Sequence, residues 1–142
     1  MSTAIPVLPG QNRRLGRSVL AIVAALLGNG VLSVAVDQVF HVLDVYPPWG
    51  QPMHDPALNG LALSYRLVLG VAAGWIVARL APRAPMRHAA ILGAIATVLS
   101  ALGAVAATQA DLGPMWYPVA LAVLAYPTVW FGAVLHERGR GR

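Results

Sequence analysis

Any chemistry in this chain has to begin with Asp37 and Arg66, two charges standing inside long apolar runs. Asp37 lies near the end of the first run and Arg66 near the start of the second. At 1.5 Å of rise per helical residue, they sit roughly 5 Å and roughly 8 Å inside the hydrocarbon boundary. Helical side chains tilt toward their own N-terminus, so two antiparallel segments bring these charged ends toward one level. An unpaired charge at mid-bilayer costs about 2.5–3.5 kcal/mol, and less near the edge. The expectation is an intramembrane pair that fixes the register of the first two spans. The competing expectation is that Arg66 snorkels to headgroups while Asp37 is hydrated.

Asn29, Ser33, Asp37 and His41 recur every four residues, which makes a polar stripe along one helical face. Ser64 and Tyr65 stand beside Arg66 and extend it. Such a stripe can line a path for protons or a solute. It can equally make interhelical hydrogen bonds worth about 0.6 kcal/mol each, and that plainer reading is preferred. His41, Asp44, His54 and Asp55 crowd the segment between the two runs, where imidazole and carboxylate could hold a divalent metal. Their spacing matches no metal motif, so exposed loop residues and no metal are expected. With Tyr46, Trp49 and Trp116, the residues Asp44, His54 and Asp55 form a polar and aromatic cap.

Nothing here resembles a catalytic signature or a nucleotide loop, and a single Glu leaves few candidates for paired-carboxylate hydrolysis. The chain reads as non-enzymatic and without cofactors. It has no Cys, so disulfides and thiolate chemistry are excluded. No A-x-A site closes the first apolar run, so a cleaved signal peptide is not expected.

Of 142 residues 58% are hydrophobic and only 11% charged, against about 25% in soluble domains. This predicts one all-α domain, a four-span transmembrane helix bundle. Spans are expected at roughly 17–40, 61–80, 88–108 and 117–135, with a mobile tail over 1–14 and a second tail over 136–142. Four prolines, Pro47, Pro48, Pro52 and Pro56, keep 41–59 as a loop. Gly70 and Gly74 give the second span a GxxxG face, and Gly93, Ala96, Ser100, Gly103 and Ala107 stripe the third with small residues. Pro127 is the expected kink of the fourth.

Net charge is +5, but the basic residues cluster at span ends, so a nucleic-acid partner is not expected. All ten are Arg, which with the Ala and Gly content suggests a GC-rich bacterial genome and the inner membrane. Nine fall in the N-terminal tail, the 2–3 turn or the C-terminal tail, while the 1–2 and 3–4 loops carry only Asp. The positive-inside rule then places both termini in the cytoplasm. Leu27-Gly28 before Pro47-Pro48-Trp49 parallels Leu92-Gly93 before Pro114-Met115-Trp116, and Tyr65 parallels Tyr126. This suggests two parallel helical hairpins.

The chain resembles neither of two four-span groups. Small multidrug-resistance transporters carry a Glu in their first span, where this chain has only Asp37 at the far end. Vitamin K epoxide reductase-like proteins need a membrane CxxC.

The preferred functional expectation is an accessory or scaffold subunit with a periplasmic recognition cap. Its partners would be the bilayer and either another membrane protein or further copies of itself. The alternative is a small oligomeric transporter of protons or a small solute, using Asp37, Arg66 and the stripe. A membrane enzyme working through His41, His54 and Asp55 ranks third. A scaffold predicts a filled interior; a transporter predicts a polar cavity among Asn29, Asp37 and Arg66.

Overall fold

The computed structural model describes residues 11–141. Four helices follow one another: α1 (Gln11–Val42), α2 (Pro56–Leu80), α3 (Pro85–Gln109) and α4 (Trp116–Arg140). Each is long and apolar enough to cross a membrane, which suggests a multi-pass membrane protein. Residues 1–10 of the expected N-terminal tail lie outside the described residues. From Gln11 onward that tail is already helix, and α4 likewise runs on to Arg140, into the expected C-terminal tail. No proline intervenes at either place, and a helix need not stop where the hydrocarbon does.

The start of α2 differs from the expected loop for a clear reason. Pro56 stands in the first turn, where its missing N–H and fixed φ suit a helix. Asp55 is the N-cap, and its carboxylate accepts from Ala57 N at 2.7 Å and Leu58 N at 3.3 Å. Asp55→Ala should cost about 1 kcal/mol of stability, readable as an earlier midpoint in denaturant.

Spans α1 and α3 end in the same way. Asp44 N–H donates to the His41 carbonyl and Val45 N–H to that of Phe40; Asp111 N–H donates to Thr108 and Leu112 N–H to Ala107. Both ends are Schellman motifs, with Asp44 (φ 55°) and Asp111 (φ 48°) in the left-handed position that usually takes Gly. A proline and a tryptophan follow at matching distances, so Asp44-x-x-Pro47-x-Trp49 repeats as Asp111-x-x-Pro114-x-Trp116.

The two loops beyond these motifs meet at one end of the bundle, called here the cap end. Met53 N–H donates to the Leu112 carbonyl at 2.8 Å. Asn59, fully buried, donates from Nδ2 to the carbonyls of Met53 and Asp55 at 2.9 and 2.8 Å. Arg79, Arg83 and Arg87 lie in or next to the 2–3 turn at the other end, where Trp75 meets His136 of α4 edge-on at 5.7 Å.

α4 packs along α2 and α3; α1 rests on α2, touches α3 lightly and does not meet α4. The α2–α4 seam is backbone against backbone. A Cβ at Gly74 would overlap the Val129 carbonyl, and one at Gly132 the Val71 carbonyl. The GxxxG face is therefore used, and Gly70 also looks onto α4, at Thr128. On α3 only part of the small-residue stripe packs: Gly93 lies against Tyr126, whereas Gly103 faces open space. Ala21, Ala25, Ala73, Val77, Ala78, Ala89, Leu92, Val129 and Ala133 form one close-packed core in the half nearer the arginine end.

Candidate functional site

Asp37 and Arg66 meet. Arg66 Nη2 donates to Asp37 Oδ2 at 2.6 Å, Arg66 Nη1 donates to the Tyr65 hydroxyl at 2.9 Å, and that hydroxyl donates to Asp37 Oδ1. The three side chains close a ring in which both carboxylate oxygens are used. A charge-assisted ring of this kind holds α1 and α2 in one register. Arg66 also lies over the Tyr65 ring at 5.1 Å and the Tyr117 ring at 5.9 Å, which adds α4 to the cluster. Asp37 is buried, whereas Arg66 keeps 24% of its side chain accessible.

That accessible part faces two cavities. The inner one, about 220 Å³, lies among all four helices, with Asn29, Ser33, Arg66, Ser100 and Thr128 as its polar wall. Ala25, Ala73, Leu92 and Val129 of the close-packed core form its floor. The second, about 270 Å³, is a vestibule at the cap, lined by Asp37, His41, Tyr46, Trp49, Arg66 and Tyr117. Arg66 is the wall common to both. Among the described residues, five buried side-chain polar atoms lack a hydrogen-bond partner, and three of them are Asn29 Oδ1, His41 Nδ1 and the Tyr46 hydroxyl. These three belong to residues that line the two cavities, but each of the three atoms is itself closed off from the cavity space.

The other expected site residues divide. Asn29 and Ser33 line the inner cavity, and Asp37 and His41 line the vestibule, so the stripe faces the bundle interior. Ser64 does not join the site: it is exposed, and its hydroxyl donates to its own helix at Leu61. In the cap, Tyr46 packs on Phe40 with ring centroids 5.0 Å apart, and His41 lies tilted against Trp49 at 4.1 Å. Trp49 also donates its indole N–H to Gln38 at 3.0 Å. Burial pushes the Tyr46 phenol above the ordinary tyrosine range, Asp37 adds to this, and Tyr65 and Arg66 oppose it. His54 is exposed, Asp44 terminates α1, Asp55 caps α2, and Trp116 stands edge-on to Tyr117 at 6.1 Å. Among the described residues no three His, Asp or Glu side chains gather as metal ligands.

Sequence reasoning missed Tyr117, Ser100, Thr128 and Asn59. The first three only face the site once α3 and α4 are in place. Asn59 did carry a signal, as a polar residue one turn beyond an Asp-Pro helix start. No family model matches the chain, and no curated protein or solved structure matches it either.

Proposed function

We propose that the chain is a small non-enzymatic protein of the bacterial inner membrane, both termini cytoplasmic, that takes a small polar solute into its outer half. The distribution of arginine supports this orientation, and it makes the cap periplasmic. One observation carries the solute reading: Arg66 is shared by two cavities, and Asn29, Ser33 and Ser100 bring further polar side chains to the inner one. The transporter alternative therefore moves ahead of the scaffold.

Transport needs the floor to open, and α1 is the element to move, since it rests chiefly on α2. The accessory-subunit reading stays as second, favoured by that same closed floor. It would use the cap as its recognition surface, with the exposed apolar face of α1 turned to lipid, a partner or a second copy. The repeated Asp-x-x-Pro-x-Trp ending supports two hairpins derived from one another.

Proteoliposomes offered a panel of short carboxylates, amides and alcohols, with an internal pH dye, separate the two readings. Uptake that disappears in Arg66→Gln supports the solute reading. Absence of uptake, together with a co-purifying partner retained by Asp37→Asn, supports the accessory reading.

A further inference from the structure

We infer that the inner cavity is a site for a small carboxylate, which takes Arg66 as its partner and enters together with a proton held on Asp37. The inference rests on the solute reading above and deepens it.

Arg66 is the one charged side chain in the wall of that cavity, while Asp37 lines only the vestibule. Seen from inside, the cavity is therefore cationic at one point and otherwise neutral. Of its remaining polar groups, Asn29, Ser33 and Ser100 can donate hydrogen bonds, whereas the Thr128 hydroxyl gives its proton to the carbonyls of Leu124 and Ala125. The Asn29 amide can turn either face to a guest. A guanidinium has five N–H donors, and within the ring one goes to Asp37 and one to Tyr65. Its planar fork suits the two oxygens of a carboxylate. A cation would meet Arg66 with no acid in the cavity wall to receive it. The space, about 220 Å³, fits a few-carbon solute rather than a drug-sized one.

Charge balance supplies the second half of the inference. Two carboxylates and one guanidinium in a poorly hydrated space leave an uncompensated negative charge, which is costly there. One proton entering with the solute removes that charge and leaves the site with its original net charge. The groups gathered round Asp37 are Arg66 and Tyr65 from α2, Tyr46 from the 1–2 connection, Tyr117 from α4 and His41 one turn along α1. Asp37 is the group placed to hold the proton, because it is the one that gives up Arg66. Tyr65 can keep its hydrogen bond to Asp37 while Arg66 turns to the solute.

The test uses the full chain in nanodiscs, with butyrate and its neutral analogue butyramide as probes, titrated calorimetrically between about pH 6 and about pH 8. Butyrate should bind at least tenfold more tightly than butyramide, and its affinity should rise about tenfold for each unit of falling pH, as uptake of one proton requires. Arg66→Gln should lose butyrate binding at every pH. Asp37→Asn should bind butyrate without pH dependence. His41→Gln, which removes the nearby imidazole, should keep the slope whatever it does to affinity.

Butyrate bound no better than butyramide would overturn the inference and leave the solute reading standing. Binding of neither probe would take both down. A flat pH profile in the unaltered protein would overturn the coupled proton, and that measurement needs no variant to fold. A slope lost in His41→Gln would remove the proton from Asp37.

Discussion

Asp37→Leu should cost the folded protein about 3 kcal/mol, and adding Arg66→Leu in the same chain should restore most of it. The single change strands a guanidinium that keeps only 24% of its side chain accessible and whose partner carboxylate lies 2.6 Å away. It also removes the acceptor of the Tyr65 hydroxyl. Arg66→Leu alone should do comparable harm from the other side, by leaving Asp37 buried and uncompensated. The double variant removes both charges, so the desolvation cost falls away with the attraction. Folded yield and the unfolding midpoint in mild detergent read this directly. Losses that simply add in the double variant would mean the two residues act separately.

The second large effect belongs to the α2–α4 seam. Gly74→Ala and Gly132→Ala should each cost about 2–3 kcal/mol, since the new methyl would overlap a backbone carbonyl that cannot move without parting two helices. Gly28→Ala and Gly103→Ala, whose added methyls would meet nothing within 4 Å, should stay within about 0.5 kcal/mol. The contrast separates close packing from a general intolerance of side chains in these spans. Unfolding midpoints that fail to separate the two pairs would deny the backbone contact between α2 and α4.

These residues also show how far a sequence carries. The spans were legible because lipid imposes length and apolarity on each helix separately, with no need to know its neighbours. The meeting of Asp37 with Arg66 was legible for a related reason: side-chain tilt and depth follow from one helix at a time. Gly74 could be read as an interface residue, but its partner could not, because α2 chooses α4 over α1 through a fit involving Gly132 and Val129 together. Gly103 carries the same small-residue signal as Gly93 and packs against nothing. The prolines at 47, 48, 52 and 56 looked alike in sequence, yet Pro56 starts a helix because Asp55 precedes it as a cap. The cavities were beyond reach, since they exist only where Ser100 of α3 and Thr128 of α4 face Asn29 and Ser33 of α1.

Water should reach the space beside Arg66 from the cap side, and a chain without Cys lets this be measured directly. Single substitutions Ser33→Cys in the inner cavity, His54→Cys in the cap and Arg83→Cys in the 2–3 turn would be exposed, in intact cells, to a small membrane-impermeant thiol reagent. His54→Cys should react fully, Ser33→Cys more slowly from the same side, and Arg83→Cys only after the membrane is opened. A Ser33→Cys thiol that stays inert while the other two behave as stated would mean that the space beside Arg66 is dry and closed, and would contradict entry of a solute from the cap.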